Sequence, residues 1–578
     1  MLVLDGDQPA ALSIVRSLGR RALRVHVAAD SPLPLAGYSR YAQASAVYPD
    51  PLRDESAFID WLGTELRQHD YTLAIPVTER TVVPILRHRG RLPADRVAVA
   101  PARALEQVLD KERTFALATS LGIPVPRSMT VHSVDDALRV APSLGYPIVV
   151  KPSRSVGSVG DMRVQLTVSY AHDTDQLSRQ VTHALSHGGV ILQEYFRGDG
   201  IGVELIADHG LVRYKFQHRR LHEVPLTGGG SSLRISEPVT PALGRAAESL
   251  MAALGWHGVA MVEFKHVAAT GEFRLMEING RFWGSLPLAV AAGADFPAML
   301  HSLMTTGTVG DTGAARSGIL CRNLGRDLDW LEHVLRRAAP AGLVTLPSAY
   351  SVVRDTLLML SPRHRFDVQS FTDMRPGWVD LARIGRRQWQ RVTGGLVRRH
   401  RLAVQRRAAR AGTGEHRMRE AKQVLFLCYG NINRSALAQA HAEARHRGSV
   451  AFRSAGFHAA EARPADPTMV DVAARGGLDL SRWRSRTVTA DLVREADLIL
   501  AMELAHIDRL EALFPEAHGK AFLLGARTAQ GAAQVEIVDP YGQPPARYQQ
   551  VYGQVTAAVD AWMRARPPGD GAVRPGGR

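Results

Sequence analysis

The chain has 578 residues, 45% hydrophobic and 22% charged, a globular composition long enough for several domains. Its two cysteines, Cys321 and Cys428, exclude a disulfide framework and point to a reducing cytoplasm. No apolar run reaches the length of a membrane span. The net charge of +15 is uneven: thirteen Lys or Arg against two Glu between Arg383 and Lys422 give that stretch +11.

The opening Met1-Leu2-Val3-Leu4-Asp5-Gly6-Asp7 has early acids and no basic n-region, so it reads as a first strand and not a secretory signal. Ala11, Ile14, Val15 and Leu18 recur at helical spacing, and residues 23–27 and 73–77 are strand-like. Strand, helix, strand predicts a parallel sheet over 1–105. Residues 106–310 form the longest unit, with a helix from Asp110 and Val/Ile-rich strands at 148–150, 190–192, 203–206, 259–264 and 273–278. Residues 311–380 read as its C-terminal extension, 381–421 as a basic linker, 422–566 as a second alternation of strand and helix, and 567–578 as a disordered Pro/Gly-rich tail. The basic stretch suits an anionic surface or serves as a solvated helical linker. No aromatic stacking platform accompanies it, so no specific nucleic acid is expected.

Within 106–310, Lys111 opens a helix and Lys151 stands at a strand end. Residues 153–160, with Ser155 and Gly157, form a small-residue loop able to fold over phosphates. Gln193-Glu194-Tyr195-Phe196 ends a strand, where backbone atoms can read an adenine edge. Glu263 sits in one strand and Glu277-Ile278-Asn279-Gly280-Arg281 ends another. Lysine neutralises polyphosphate, and Mg²⁺ takes oxygen ligands, so two carboxylates and an amide at neighbouring strand ends make a clamp. Glu277 and Asn279, two apart, point to one side, and Arg281 there can stabilise a transferred phosphoryl group.

That ordered set resembles the ATP-grasp superfamily, near the carbamoyl-phosphate-synthase and biotin-carboxylase ATP-binding domains. The resemblance implies ATP and Mg²⁺, with Lys111 and Lys151 on phosphates and Gln193, Glu194 and Phe196 around adenine. It implies Asp199 at the ribose, Glu263, Glu277 and Asn279 on Mg²⁺, and Arg281 as catalytic. Residues 217–220 and 228–231 are similar to loops that contact the second substrate. The implied reaction phosphorylates a small carboxylate, which an amine then attacks.

Val424-Leu425-Phe426-Leu427 is a strand, Cys428-Tyr429-Gly430-Asn431-Ile432-Asn433 a loop, and a helix follows Arg434-Ser435. A strand–loop–helix junction aims N–H groups at one point, and the helix N-terminus adds positive charge, which makes a phosphate cradle. Cys428 at its floor is placed as a thiolate. Arg434 can grip two phosphoryl oxygens, and Ser435 can donate to the sulfur. Singly, Cys428 also reads as a structural thiol and Arg434 as a surface arginine. Asp539, before Pro540 and Tyr541, supplies an acid for the leaving oxygen.

With Ser454-Ala455-Gly456 and residues 496–502, these segments resemble the low-molecular-weight protein tyrosine phosphatases over 422–566. The resemblance implies Cys428 as nucleophile, Arg434 as phosphate-binding and Asp539 as general acid then base. The substrate is a phosphotyrosine protein or small phosphate ester, with no cofactor. Asn433 stands where many members carry a second cysteine, and Trp483 where the family often has histidine. The fold class expected is α/β: a parallel-sheet domain preceding an α+β ATP-grasp fold, then a separate doubly wound parallel-sheet phosphatase. Two further readings are a phosphatase with a non-catalytic ATP-binding regulatory domain, and a glutathione-linked arsenate reductase.

Overall fold

The computed structural model describes residues 1–152, 156–159, 162–165, 168–185, 189–310, 313–337, 342–410, 412–446, 448, 450–458, 460–529 and 535–566. Two compact units result: Met1–Leu177 with Gly188–Arg387, and Ser178–His187 with Gln388–Arg578.

The first unit opens with a parallel sheet in the order Ala42–Val47, Val25–Ala29, Leu2–Val3, Ala74–Ile75. Helix Pro9–Arg20 buries Ala11, Ile14, Val15 and Leu18, the face read from spacing. The strand expected over 73–77 stops at Ile75, because the N–H groups of Val77 and Thr78 turn to Asp5 Oδ2 at 3.0 and 2.8 Å. A four-stranded antiparallel sheet follows, in the order Ser128–Val131, Val190–Glu194, Ile148–Pro152, Ser169–Ala171. The largest sheet has seven strands, in the order Phe273–Asn279, Gly258–His266, Asp199–Asp208, Leu211–Val224, Gly230–Glu237, Leu320–Arg322, His364–Phe366. Its last pair is parallel and the others antiparallel.

Residues 217–220, expected in a loop, lie inside strand Leu211–Val224. That strand pairs on both sides, and Gln217 and His218 are buried between its neighbours. The extension 311–380 contributes the last two strands. There Arg234 pairs with Asp367 in the interior, and Cys321 Sγ lies 3.2 Å from the same carboxylate. Burial pushes the Cys321 thiol up, and the Asp367 charge adds to it. The basic stretch is helical: Met374–Arg410 begins before residue 381, and Thr413–Glu420 follows. The tail 567–578 lies outside the described residues.

The second unit holds a parallel sheet in the order Ala451–Gly456, Gln423–Cys428, Leu498–Ala501, Ala521–Leu523. Val424 to Leu427 are buried on both faces, which is why this strand reads as an unbroken apolar run. The first strand in sequence sits between the second and third, so the order reverses at its carboxyl end, where doubly wound sheets open a crevice. Cys428 is the last residue of that strand.

Candidate active sites

In the first unit a cleft of about 620 Å³ is lined by Lys111, Lys151, Gln193, Glu194, Tyr195, Phe196, Glu263, Glu277, Asn279 and Arg281. These ten expected residues thus meet in one place. Lys151 Nζ donates to Gln193 Oε1 at 2.5 Å, and Lys111 Nζ lies 3.7 Å from Glu277 Oε2. Burial, helped by the Lys111 charge, lowers Lys151 to about 8. A polyphosphate beside both lysines would relieve that repulsion.

Glu263 and Glu277 face each other across neighbouring strands. Asn279 Nδ2 lies 3.0 Å from Glu263 Oε1 and 3.4 Å from Glu277 Oε1. Burial raises the Glu263 carboxyl, and the Glu277 charge adds to this against the pull of Arg220. Two carboxylates and an amide at one place are the oxygen donors a hard divalent cation takes, and Arg220 on Glu263 and Lys111 near Glu277 balance their charge meanwhile.

One expectation falls elsewhere. Asp199 does not line the cleft; it opens a strand and its carboxylate lies 3.8 Å from Arg219 Nη1. Gly157 belongs to strand Val156–Val159, paired antiparallel with Met162–Gln165, so part of the expected loop is strand. Ser155 lies outside the described residues. Arg220, which pairs with Glu263, and His218 also line the cleft. Both came from the segment expected as a loop.

In the second unit the loop after Cys428 is held from outside. Tyr429 O accepts from Phe457 N at 2.8 Å and His458 N at 3.0 Å, and Gly430 O from Arg463 Nη2 at 2.6 Å. Asn431 O accepts from Trp483 Nε1 at 2.8 Å, and Ile432 O from Asp466 N at 3.1 Å. Planar peptides whose carbonyls turn outward turn their N–H groups inward. Asn431 N donates to Cys428 Sγ at 3.2 Å, and Ser435 Oγ lies 3.0 Å from it. Gly456 permits the close approach: a Cβ there would sit 2.6 Å from Tyr429 O.

Asn431 is fully buried at φ 52°. Its Nδ2 donates to Ser435 Oγ at 3.0 Å and Ser454 Oγ at 2.8 Å, and its Oδ1 accepts from Arg486 N at 2.9 Å. Helix Arg434–Arg445 starts as the loop ends, so its N-terminus faces the ring. Arg434 is buried. Its Nη1 pairs with Glu503 and donates to Ile537 O at 2.7 Å, and its Nη2 donates to Asp539 Oδ2 at 2.6 Å. Burial opposes that positive charge, but Cys428, Asp539 and Glu503 outweigh it and raise Arg434. Cysteine, arginine and aspartate are therefore coupled around one ring of donors.

Residues 423–566 match the family low molecular weight phosphotyrosine protein phosphatase, and residues 110–303 the family carbamoyl-phosphate synthase L chain, ATP binding domain. The low molecular weight protein-tyrosine-phosphatase Etp of Escherichia coli (strain K12) is 40% identical over 141 residues, 24% of this chain and 92% of the relative. The chain belongs to this phosphatase family. The probable phosphatase EpsP of Ralstonia nicotianae is 37% identical, covering 25% of this chain and 94% of the relative. Among solved structures, the Erwinia amylovora tyrosine phosphatase AmsI matches with 34% identity and a TM-score of 0.24, over 25% of this chain and 93% of that one. An L-amino acid ligase from Bacillus licheniformis matches with 17% identity and a TM-score of 0.40, over 52% and 73%. The chain is an enzyme in which an ATP-grasp domain is fused to a low-molecular-weight phosphatase.

Against the phosphatase family, Trp483 keeps a ring N–H on the loop, at Asn431 O. Asn433 is buried, and among the described residues its amide has no hydrogen-bond partner. Two groups escaped the sequence reading. Glu503 clamps Arg434, and His506 Nδ1 accepts from Glu503 N at 3.2 Å. Burial and the Arg434 charge lower His506 to about 4. Glu503 directly follows residues 496–502, and nothing local marked it.

Proposed function

We propose that this chain is bifunctional: its phosphatase domain hydrolyses phosphotyrosine in proteins, or small aryl phosphates, through a cysteinyl phosphate. Its ATP-grasp domain couples ATP cleavage to the joining of a small carboxylate and an amine.

The outward-turned loop with Cys428 Sγ at its centre carries the first half of this reading. The sulfur attacks phosphorus, the ester P–O bond breaks, and Asp539 gives its proton to the leaving oxygen. Water then attacks the phosphorus, Asp539 takes the water's proton, and the S–P bond breaks to return the sulfur. Asp539 is tied to Arg434 at 2.6 Å. A phosphoryl group on the guanidinium competes for that bond and leaves the carboxyl for proton transfer. Tyr429 follows Cys428 and Tyr541 lies two residues after Asp539, both rings are exposed to solvent, and they would wall the entrance against an aryl ring. Hydrolysis of a phosphotyrosine peptide without thiol cofactors, lost in Cys428→Ser, is the test. Turnover only with arsenate and glutathione would contradict it.

For the second half, the support is the single cleft that gathers two lysines, two carboxylates, an amide and Arg281. Lys111 and Lys151 would neutralise ATP phosphates, and Glu263, Glu277 and Asn279 would hold Mg²⁺, which neutralises phosphate charge when bound. Arg281, now 3.1 Å from Glu79, would steady the transferred group. Mass spectrometry of products after ATP and panels of amino acids and small carboxylates tests it. ADP release with a new amide product is expected. A change in phosphatase rate on adding ATP, with no product from any carboxylate, would favour a regulatory domain instead.

A further inference from the structure

One side chain beside the phosphate loop has no task in the chemistry above. Arg509 stands on helix Leu504–Leu513, one turn beyond His506. Its guanidinium carbon lies 5.8 Å from the ring centre of Tyr429, the residue after Cys428, and 5.1 Å from that of Phe457. The His458 ring meets Tyr429 edge-on at 6.1 Å. A cation over aromatic faces has its stem held in place while its N–H groups stay open to solvent. Arg509 is exposed, and among the described residues its guanidinium has no hydrogen bond and no ion pair.

The acids nearest in the chain and at the ring are engaged elsewhere. On the same helix Asp508 pairs with Arg401 and Glu511 with His518. Glu503 and Asp539 are both on Arg434. At the next residue of the loop, Gly430 O accepts from Arg463 Nη2, and Arg463 likewise has no carboxylate partner among the described residues. Burial and the Arg463 charge hold His458 below its ordinary value, in keeping with uncompensated positive charge at this edge of the loop.

We propose that Arg509 is a specificity residue, which binds an acidic side chain beside the phosphotyrosine and so selects a protein tyrosine phosphorylated within an acidic stretch. This rests on the phosphatase reading and names its class of substrate. Charge selects the occupant: a planar fork with free N–H groups matches a carboxylate, and a lysine at the same place in the substrate would meet like charge. An aryl ring against Tyr429 leaves the next peptide residue only about 3.3–3.6 Å further along an extended chain. Its side chain therefore borders the same tyrosine that Arg509 covers.

The experiment compares three phosphotyrosine peptides of one length, with glutamate, glutamine or lysine on both sides of the phosphotyrosine, and p-nitrophenyl phosphate as reference, all with the full chain. The parent is expected to favour the glutamate peptide over the glutamine peptide by about tenfold in kcat/KM, mainly through KM and less so in high salt. Arg509→Gln should lower kcat/KM on the glutamate peptide about fivefold more than on the glutamine peptide, and Arg509→Lys should keep part of the preference. Equal use of the glutamate and glutamine peptides by the parent would overturn the proposal. So would an equal loss on every substrate in Arg509→Gln, which would make the arginine a prop for Tyr429. No hydrolysis of any substrate by the parent, p-nitrophenyl phosphate included, would refute the phosphatase reading itself and the proposal with it.

Discussion

Replacing Asn431 by glycine and by alanine separates the two ways in which this residue shapes the phosphate loop. Its side chain makes three hydrogen bonds, to Ser435, Ser454 and the Arg486 N–H, in a fully buried setting. At about 1 kcal/mol each, their loss costs about 3 kcal/mol of loop order. Its backbone stands at φ 52°, which glycine adopts freely and alanine only at a further 1–2 kcal/mol or so. If the loop must keep this shape in the transition state, kcat/KM falls about 10²-fold in Asn431→Gly and about 10³-fold in Asn431→Ala, at about 1.4 kcal/mol per factor of ten. Steady-state hydrolysis of p-nitrophenyl phosphate, with inhibition by inorganic phosphate to report the ring itself, measures both. Alanine equal to or better than glycine would refute the strain argument. Both variants within about threefold of the parent would refute the view that Asn431 holds the ring.

Asp539→Asn should lower kcat on phosphotyrosine by about 10²–10⁴-fold, and less on esters with better leaving groups; equal losses on both would speak against an acid role. Trp483→Phe removes the ring N–H from Asn431 O and should cost about tenfold or less in kcat/KM, read in the same assay. Lys151, lowered to about 8, is protonated below that pH, so ATP affinity measured by calorimetry should decline as pH rises past 8, and Lys151→Met should flatten the profile. His506 is neutral when folded, at about 4 against 6.5. Between those values the unfolded chain takes the proton, so its stabilising contribution is complete above 6.5 and lost as pH falls toward 4. The full loss is on the order of 3 kcal/mol, and His506→Phe should remove it from urea midpoints of phosphatase activity.

The phosphate loop was legible because its parts are neighbours in the chain. An apolar strand, a Gly/Asn loop, Arg434 and a helix are local features, and the parallel sheet places Cys428 where its order reverses. The donors that turn the loop inside out were not legible. Arg463 and Asp466 come from one segment and Trp483 from another, both remote in sequence from the loop, and only folding sets them on successive carbonyls. Glu503 was passed over for the same reason, since a glutamate after a strand carries no mark of the arginine it will meet. In the ATP-grasp domain, ten expected residues share a cleft, and most stand at or just beyond the end of an element, whereas Glu263 lies inside strand Gly258–His266 opposite Glu277. Residues 217–220 were expected in a loop through the family resemblance, and they lie in a strand. In the sheet, Glu204 receives His218 and Thr240 receives Gln217, so polar side chains are satisfied inside a strand. Asp199, placed at the ribose by the resemblance alone, lies beside Arg219 of the neighbouring strand and is absent from the cleft lining.

Acid quenching of the full chain within milliseconds of adding a labelled aryl phosphate, followed by peptide mapping, bears most directly on how the ring works. Phosphate on the sulfur of residue 428, building up when Asp539 is replaced by alanine because water is no longer activated, is the predicted outcome. Full turnover with label on no residue, or on a histidine such as His506, would contradict it.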